Sequence, residues 1–171
     1  MVEQIVETII NLFGSLKSIP FGRELVVFGI SLMPILELRG GLIAAALLDL
    51  NPVTSYIITI IGNVLPVPFI LWFINSILKW MRNSKKFKGI ANWLDGKVEK
   101  HKAQIEKYGF WGLVIFVGIP LPGTGAWTGC LIAAVLNMDR KKAFLAALLG
   151  ILIASVIMML VSFGLLKAII G

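Results

Sequence analysis

The sequence predicts an all-α integral membrane protein: two re-entrant helical hairpins, each followed by a transmembrane helix, arranged as an inverted-topology repeat behind an N-terminal interfacial helix. Three observations carry this. Of 171 residues, 58% are hydrophobic and the mean hydropathy is +0.92, which leaves too little polar surface to cover a soluble globule of this size. Two apolar segments are broken by proline and glycine at corresponding places 88 positions apart. Positive charge is gathered into one stretch between them. No run of strand-length segments alternates with period two, so helices rather than a barrel must satisfy the backbone in lipid.

Taken in order, residues 1–22 form the interfacial helix and a turn. Within 2–16, Val2, Ile5, Val6, Ile9 and Phe13 share a face and Glu3, Gln4, Glu7 and Asn11 oppose it, over a length too short to cross a bilayer. Ser18 to Gly22 ends it. The first repeat, 23–78, opens with an apolar run from Leu25 to Leu48, broken at Pro34-Ile35-Leu36-Glu37-Leu38-Arg39-Gly40-Gly41. Asp49 to Pro52 supplies a turn with proline suited to the first turn of the next helix. Val53–Leu78 is long enough to span, with kinks expected at Pro66 and Pro68 and one amide, Asn63, inside it. A basic linker, 79–107, follows; with Gly89 and Gly96 inside it, it reads as one or two surface helices, whose aromatic residues lie on the membrane in preference to a freely solvated loop. The second repeat, 108–171, has its break at Pro120-Leu121-Pro122-Gly123-Thr124-Gly125-Ala126-Trp127-Thr128-Gly129 and its span at Ala143–Leu166. At an offset of 88, Pro34 falls on Pro122, Gly41 on Gly129, Leu48 on Leu136 and Gly62 on Gly150.

Charge selects the topology. The linker holds nine Lys or Arg against three acids, a net of +6 that leaves +1 for the rest of the chain. If both broken segments crossed the membrane, the linker and Arg140-Lys141-Lys142 would lie on opposite sides, against the positive-inside rule. If each dives to mid-depth and returns, both basic stretches are cytoplasmic and Asp49 faces outward. Arms of eight to eleven residues reach about the middle of a ~30 Å core. The expected location is therefore the plasma membrane, multi-pass, with 79–107 cytoplasmic. The basic linker suits anionic headgroups, and nucleic acid is excluded as a partner.

Glu37 and Arg39 are costly in a membrane, about 2.5 to 3.5 kcal/mol each at a helix centre, so a partner or a watery cavity is expected. They are a mutually neutralising structural pair or a functional one. The returning arms, beginning near Gly40-Gly41 and near Thr124-Gly125, would aim N–H groups and positive dipole ends into mid-membrane. With Arg39 they suit an anion. Thr124 is the candidate N-cap, Thr128 a further hydroxyl, and Trp127 a cavity wall. Pro34, Pro120, Pro122 and Asn63 complete the candidate substrate- or ion-binding set. Gly125 and Gly129 also fit close helix packing. Cys130 reads as a packing residue and His101 as a solvated surface residue. No metal, cofactor or catalytic cluster is expected, and the chain does not read as an enzyme.

The Glu37-Leu38-Arg39-Gly40-Gly41 break, the Pro120 to Gly129 break, the chain length and the basic linker together resemble the small multidrug export protein family over roughly residues 20–166. More distantly they resemble the DedA or SNARE-associated superfamily. That resemblance implies paired re-entrant hairpins, translocation of polyprenyl-phosphate carriers or phospholipids, a membrane-embedded acid at Glu37 and a basic substrate contact at Arg39. Gly118 to Pro122 supplies none of the arginines that the DedA pattern places around the second proline. Three functions follow as expectations. The first is a transporter or flippase for an amphipathic, lipid-phosphate-type anion, coupled to protons through Glu37. The others are a proton-coupled exporter of small hydrophobic cationic drugs and a non-transporting membrane scaffold. Two full spans make a poor barrier alone, so a homo-oligomer, with a dimer as the simplest form, is expected.

Overall fold

The computed structural model describes residues 2–12, 20–84, 87–121 and 123–165. All regular structure in that set is helical: α1 (Val2–Leu12), α2 (Gly22–Leu32), α3 (Glu37–Leu47), α4 (Pro52–Val64), α5 (Pro66–Asn83), α6 (Lys88–Gly118), α7 (Ala126–Val135) and α8 (Arg140–Met159), the last continued by a π-helical turn, Leu160–Leu165. Pro122, Lys85, Lys86 and residues 13–19, which include most of the turn expected after the first helix, lie outside the described residues.

The two apolar spans are present. One stretch, Pro52–Ile74, and another, Arg140–Gly164, are long and apolar enough to cross a membrane. Pro52 occupies the first turn of α4, where its missing N–H costs nothing, and Asn51 caps the helix by accepting from the Val53 and Thr54 amides at 2.9 and 3.3 Å. Pro66 divides the first span into α4 and α5 at Leu65.

Three expectations are corrected. The first break is shorter than the composition suggested: only Met33–Leu36 leaves the helix, and Glu37, Arg39, Gly40 and Gly41 belong to α3. Of the one or two helices expected in the linker there is one from Lys88 on, since α6 runs through Gly89 and Gly96, but it continues past the linker's end and bends at Gly109 (φ 54°, ψ −123°). His101 is partly buried, with its ring edge-on to Phe116 at 5.2 Å, rather than solvated.

The chain forms two compact units, Met1–Leu65 with Leu152–Gly171, and Pro66–Ile151. In the first, α2, α3 and α4 pack on one another and α1 packs on α3. Val27, Ile30, Leu36, Ala44 and Ala45 form its core. Ser31 is the junction: a Cβ on Gly41 would strike its hydroxyl, and one on Gly62 would lie 2.9 Å from its Cβ. In the second unit, α7 packs on α5 and on the last turns of α6. A Cβ on Gly129 would lie 2.7 Å from Val117 Cγ2, and one on Gly150 would lie 2.6 Å from Val117 Cβ. Small residues thus let three helices close in each unit, the packing route available where lipid offers no hydrophobic drive between helices.

Local backbone features recur along the chain at the spacing read from sequence. Positive φ occurs at Phe21, Glu37 and Asp49 (63°, 50° and 52°) and again 88 residues on at Gly109, Gly125 and Asn137 (54°, 141° and 52°). The turn after α3 bonds Leu48, Asp49 and Leu50 N–H to Ala44, Ala46 and Ala45; that after α7 bonds Leu136, Asn137 and Met138 to Ile132, Ala134 and Ala133. Asn51 caps α4, and its counterpart Asp139 accepts from the Lys142 amide at 2.9 Å at the start of α8. The outgoing arms obey a different offset. Met33 and Ile119 end them with similar extended conformations (ψ 138° and 117°). Ser31 and Val117 hold the equivalent glycine contacts. Both pairs are 86 apart, so the second arm is two residues shorter and its connection two longer. Pro34 therefore matches Pro120, and the fixed-offset match to Pro122 is an artefact of that compensation.

Candidate functional site

The first turn of α3 gathers the charged residues. Glu37 begins the helix, is 4% exposed and has its N–H bonded to Met33 O at 2.9 Å. Arg39 is half-buried two residues on and interacts electrostatically with Glu37. An acid in the first turn is favoured by the helix dipole, whereas a cation there is opposed. The dipole of α3 thus favours the place of Glu37 and opposes that of Arg39. The left-handed φ of Glu37 is uncommon for a side chain longer than Asn; the corresponding residue before α7 is Gly125.

Gly40 and Gly41 are contact residues rather than tip residues. A Cβ on Gly40 would lie 2.6 Å from Leu36 Cβ, and on Gly41 2.9 Å from Thr59 Cγ2 besides the clash with Ser31. Because α3 and α4 are joined by the short turn at 48–51 they run antiparallel. One turn beyond the Gly41–Thr59 contact, about 5.4 Å along each axis, stand Glu37 on α3 and Asn63 on α4.

Asn63 is 1% exposed, and neither its Oδ1 nor its Nδ2 has a hydrogen-bond partner among the described residues. It ends a stripe of buried polar residues, Ser55, Thr59 and Asn63, four apart on one face of α4. The two hydroxyls are satisfied within the helix, Ser55 donating to Asn51 O and Thr59 to Ser55 O, each at 2.8 Å. Ser31 likewise donates to Val27 O. An orphaned amide costs about 1–3 kcal/mol, which makes Asn63 the anomaly. Positions 88 on are Ala143, Ala147 and Ile151, all buried and apolar. The polar stripe of α4 has no counterpart at that spacing in α8.

The second break carries no charge. Thr124 is not the N-cap: its Oγ1 donates to Ile119 O and Leu121 O at 2.8 and 2.9 Å and so closes the loop, and Gly125 (φ 141°) occupies the cap without a side-chain bond. Pro120 follows the end of α6. Trp127 is half-buried and Thr128 is buried on α7, as is Cys130. Glu37, Arg39, Gly40, Gly41 and Asn63 therefore share the first unit, while Pro120, Thr124, Gly125, Trp127 and Thr128 belong to the second. Sequence reading missed Ser31 and Thr59, whose only signal was a hydroxyl in an apolar run. It also missed Arg23, which reaches the Leu48 carbonyl at 3.3 Å and caps the end of α3. No group of three metal-binding side chains of the His, Cys, Asp or Glu type occurs among the described residues.

Two apolar spans and a buried acid beside a half-buried arginine on a broken hairpin are the features of a membrane transport protein. The family model described as "Putative small multi-drug export protein" matches residues 37–157, and the chain belongs to that family. The match starts at Glu37 and takes in Arg39, Asn63 and both spans' apolar cores. No curated protein and no solved structure matches the chain.

Proposed function

We propose that this transporter moves an amphipathic anion of the lipid-phosphate type, with Arg39 as the anion contact and Glu37 as the coupling group that trades Arg39 for a cation, a proton in the simplest case. The observation that carries this is Arg39 itself. It stands half-buried at the positive end of α3, where local electrostatics oppose it. An anion relieves that cost, and until one arrives Glu37 does so. In reconstituted liposomes Arg39→Met should lower translocation of a lipid phosphate about a hundredfold, the loss that follows removal of a buried charge contact. Glu37→Gln should preserve substrate binding and remove dependence on the cation gradient. If Arg39→Met translocates normally, the anion reading is lost. The family's description and the buried carboxylate favour a second reading, in which Glu37 exchanges a proton for a hydrophobic cationic drug; it is supported if Glu37→Gln abolishes drug efflux and Arg39→Met does not.

The two hairpins act, in this reading, as re-entrant elements entering from opposite faces of the plasma membrane, with a dimer completing the barrier. One full span separates them, and the positive φ positions, the caps and the turn bonds repeat at 88. The linker and Arg140-Lys141-Lys142 are then both cytoplasmic. Single cysteines at Lys100 and Lys141 should be labelled from the cytoplasmic side and one at Asp49 from outside. Labelling of positions 100 and 141 from opposite sides defeats the inverted repeat.

A further inference from the structure

We infer that Asn63, together with Glu37 and the Gly62 carbonyl, forms a binding site for sodium in the α2–α3–α4 bundle. The inference rests on the reading above in one respect, Glu37 as coupling group, and it names the coupling cation as sodium rather than a proton. Three observations converge. Asn63 is 1% exposed and neither of its amide atoms has a partner among the described residues, which is uncommon for a buried carboxamide unless a ligand satisfies it. Beside it, the Gly62 carbonyl lacks the usual donor four residues on, because that residue is Pro66; Pro68 does the same to Val64. By the antiparallel register set at Gly41–Thr59, buried Glu37 and buried Asn63 each stand one turn beyond that contact on facing helices.

These groups are oxygen donors of three kinds: amide, backbone carbonyl and carboxylate. Thr59 and Ser31 add two more, since each hydroxyl gives its proton to a helix carbonyl and keeps its lone pairs. Hard cations take such oxygens, and backbone carbonyls freed by a helix break are the recurring ligands of coupling ions at mid-membrane. Charge and size choose the ion. One carboxylate balances one positive charge, and a divalent ion would leave an excess next to Arg39. The helices also close tightly here, with a Cβ on Gly62 only 2.9 Å from Ser31 Cβ and 3.1 Å from the Phe28 carbonyl, so a small ion fits better than potassium. Asn63 Nδ2 would donate to the carboxylate oxygen that the ion does not use. Sodium would then take over Glu37 and release Arg39 for the anion, which couples the two events through one carboxylate.

The full-length protein in detergent tests this by thermal unfolding in sodium, potassium and choline chlorides at equal ionic strength. At a hundredfold excess over Kd, sodium should raise Tm about 5 to 10 °C above choline, and potassium should raise it less. Asn63→Leu should be at least as stable as the wild type in choline and gain nothing from sodium; Asn63→Asp, which keeps the oxygen, should retain the gain. Arg39→Met should also retain it. Equal Tm of the wild type in all three salts overturns the inference, as does a sodium gain that survives in Asn63→Leu. Failure of the anion reading looks different: Arg39→Met then translocates lipid phosphate normally while the sodium gain persists.

Discussion

Gly41→Ala should destabilise the protein by about 2 kcal/mol, the cost of forcing a methyl group into a packed interior, and Ser31→Ala in the same chain should recover much of it. The added Cβ meets the Ser31 hydroxyl directly, with Thr59 Cγ2 at 2.9 Å and Ser31 Cβ at 3.2 Å as secondary contacts. Removing the hydroxyl opens the worst of these, and its own bond to Val27 O is a helix carbonyl contact that the helix does without. Gly150→Ala should be at least as harmful and should not be rescued by Val117→Ala. There the new Cβ would lie 2.6 Å from Val117 Cβ and 2.9 Å from the Val114 carbonyl, atoms that an alanine keeps. Thermal unfolding of the two singles and two doubles checks this. Rescue at both sites, or at neither, would mean that the close approaches at Ser31 and Val117 are not what these glycines are for.

Glu37→Gly with Arg39→Met should leave the protein at least as stable as the wild type while lowering translocation about a hundredfold. Glycine suits the left-handed start of α3, as Gly125 does before α7, and relieves strain of about 1 kcal/mol. Arg39→Met keeps the packing of the stem and removes the charge. Each single substitution removes the other charge's electrostatic partner, so the singles should be less stable than the double, with a coupling of about 1 kcal/mol or more. Coupling of that size with wild-type transport in every variant that folds would make Glu37 and Arg39 a purely structural pair, and a double variant as damaged as the singles combined would mean that the two do not interact.

Much of the architecture was legible in the chain. Hydropathy and length located both spans, because only about twenty apolar residues cross a bilayer. The spacing of 88 was also readable, since Gly41 and Gly62 recur at Gly129 and Gly150, positions where helices approach too closely for a Cβ. The site was legible in part. Glu37, Arg39 and Asn63 stood out because ionisable and amide side chains are expensive in lipid.

What the chain alone left open was which residues meet. Gly40-Gly41 looked like a break, because a glycine pair disfavours an isolated helix; in the fold Gly41 lies inside α3, where its missing Cβ admits Ser31. Pro34 aligned with Pro122 at a constant offset, whereas the contacts of Ser31 and Val117 set the arms 86 apart and pair it with Pro120. Asn63 was one polar residue in a span until packing buried it without a hydrogen-bond partner among the described residues. Composition and periodicity therefore determined which segments are helical and which are apolar enough to enter the membrane, since both depend on residues near in sequence. The junctions at Ser31 and Val117, and the burial of Asn63 without a partner among the described residues, were decided only by tertiary packing, because a contact between helices depends on side-chain volumes in segments that the chain does not hold adjacent.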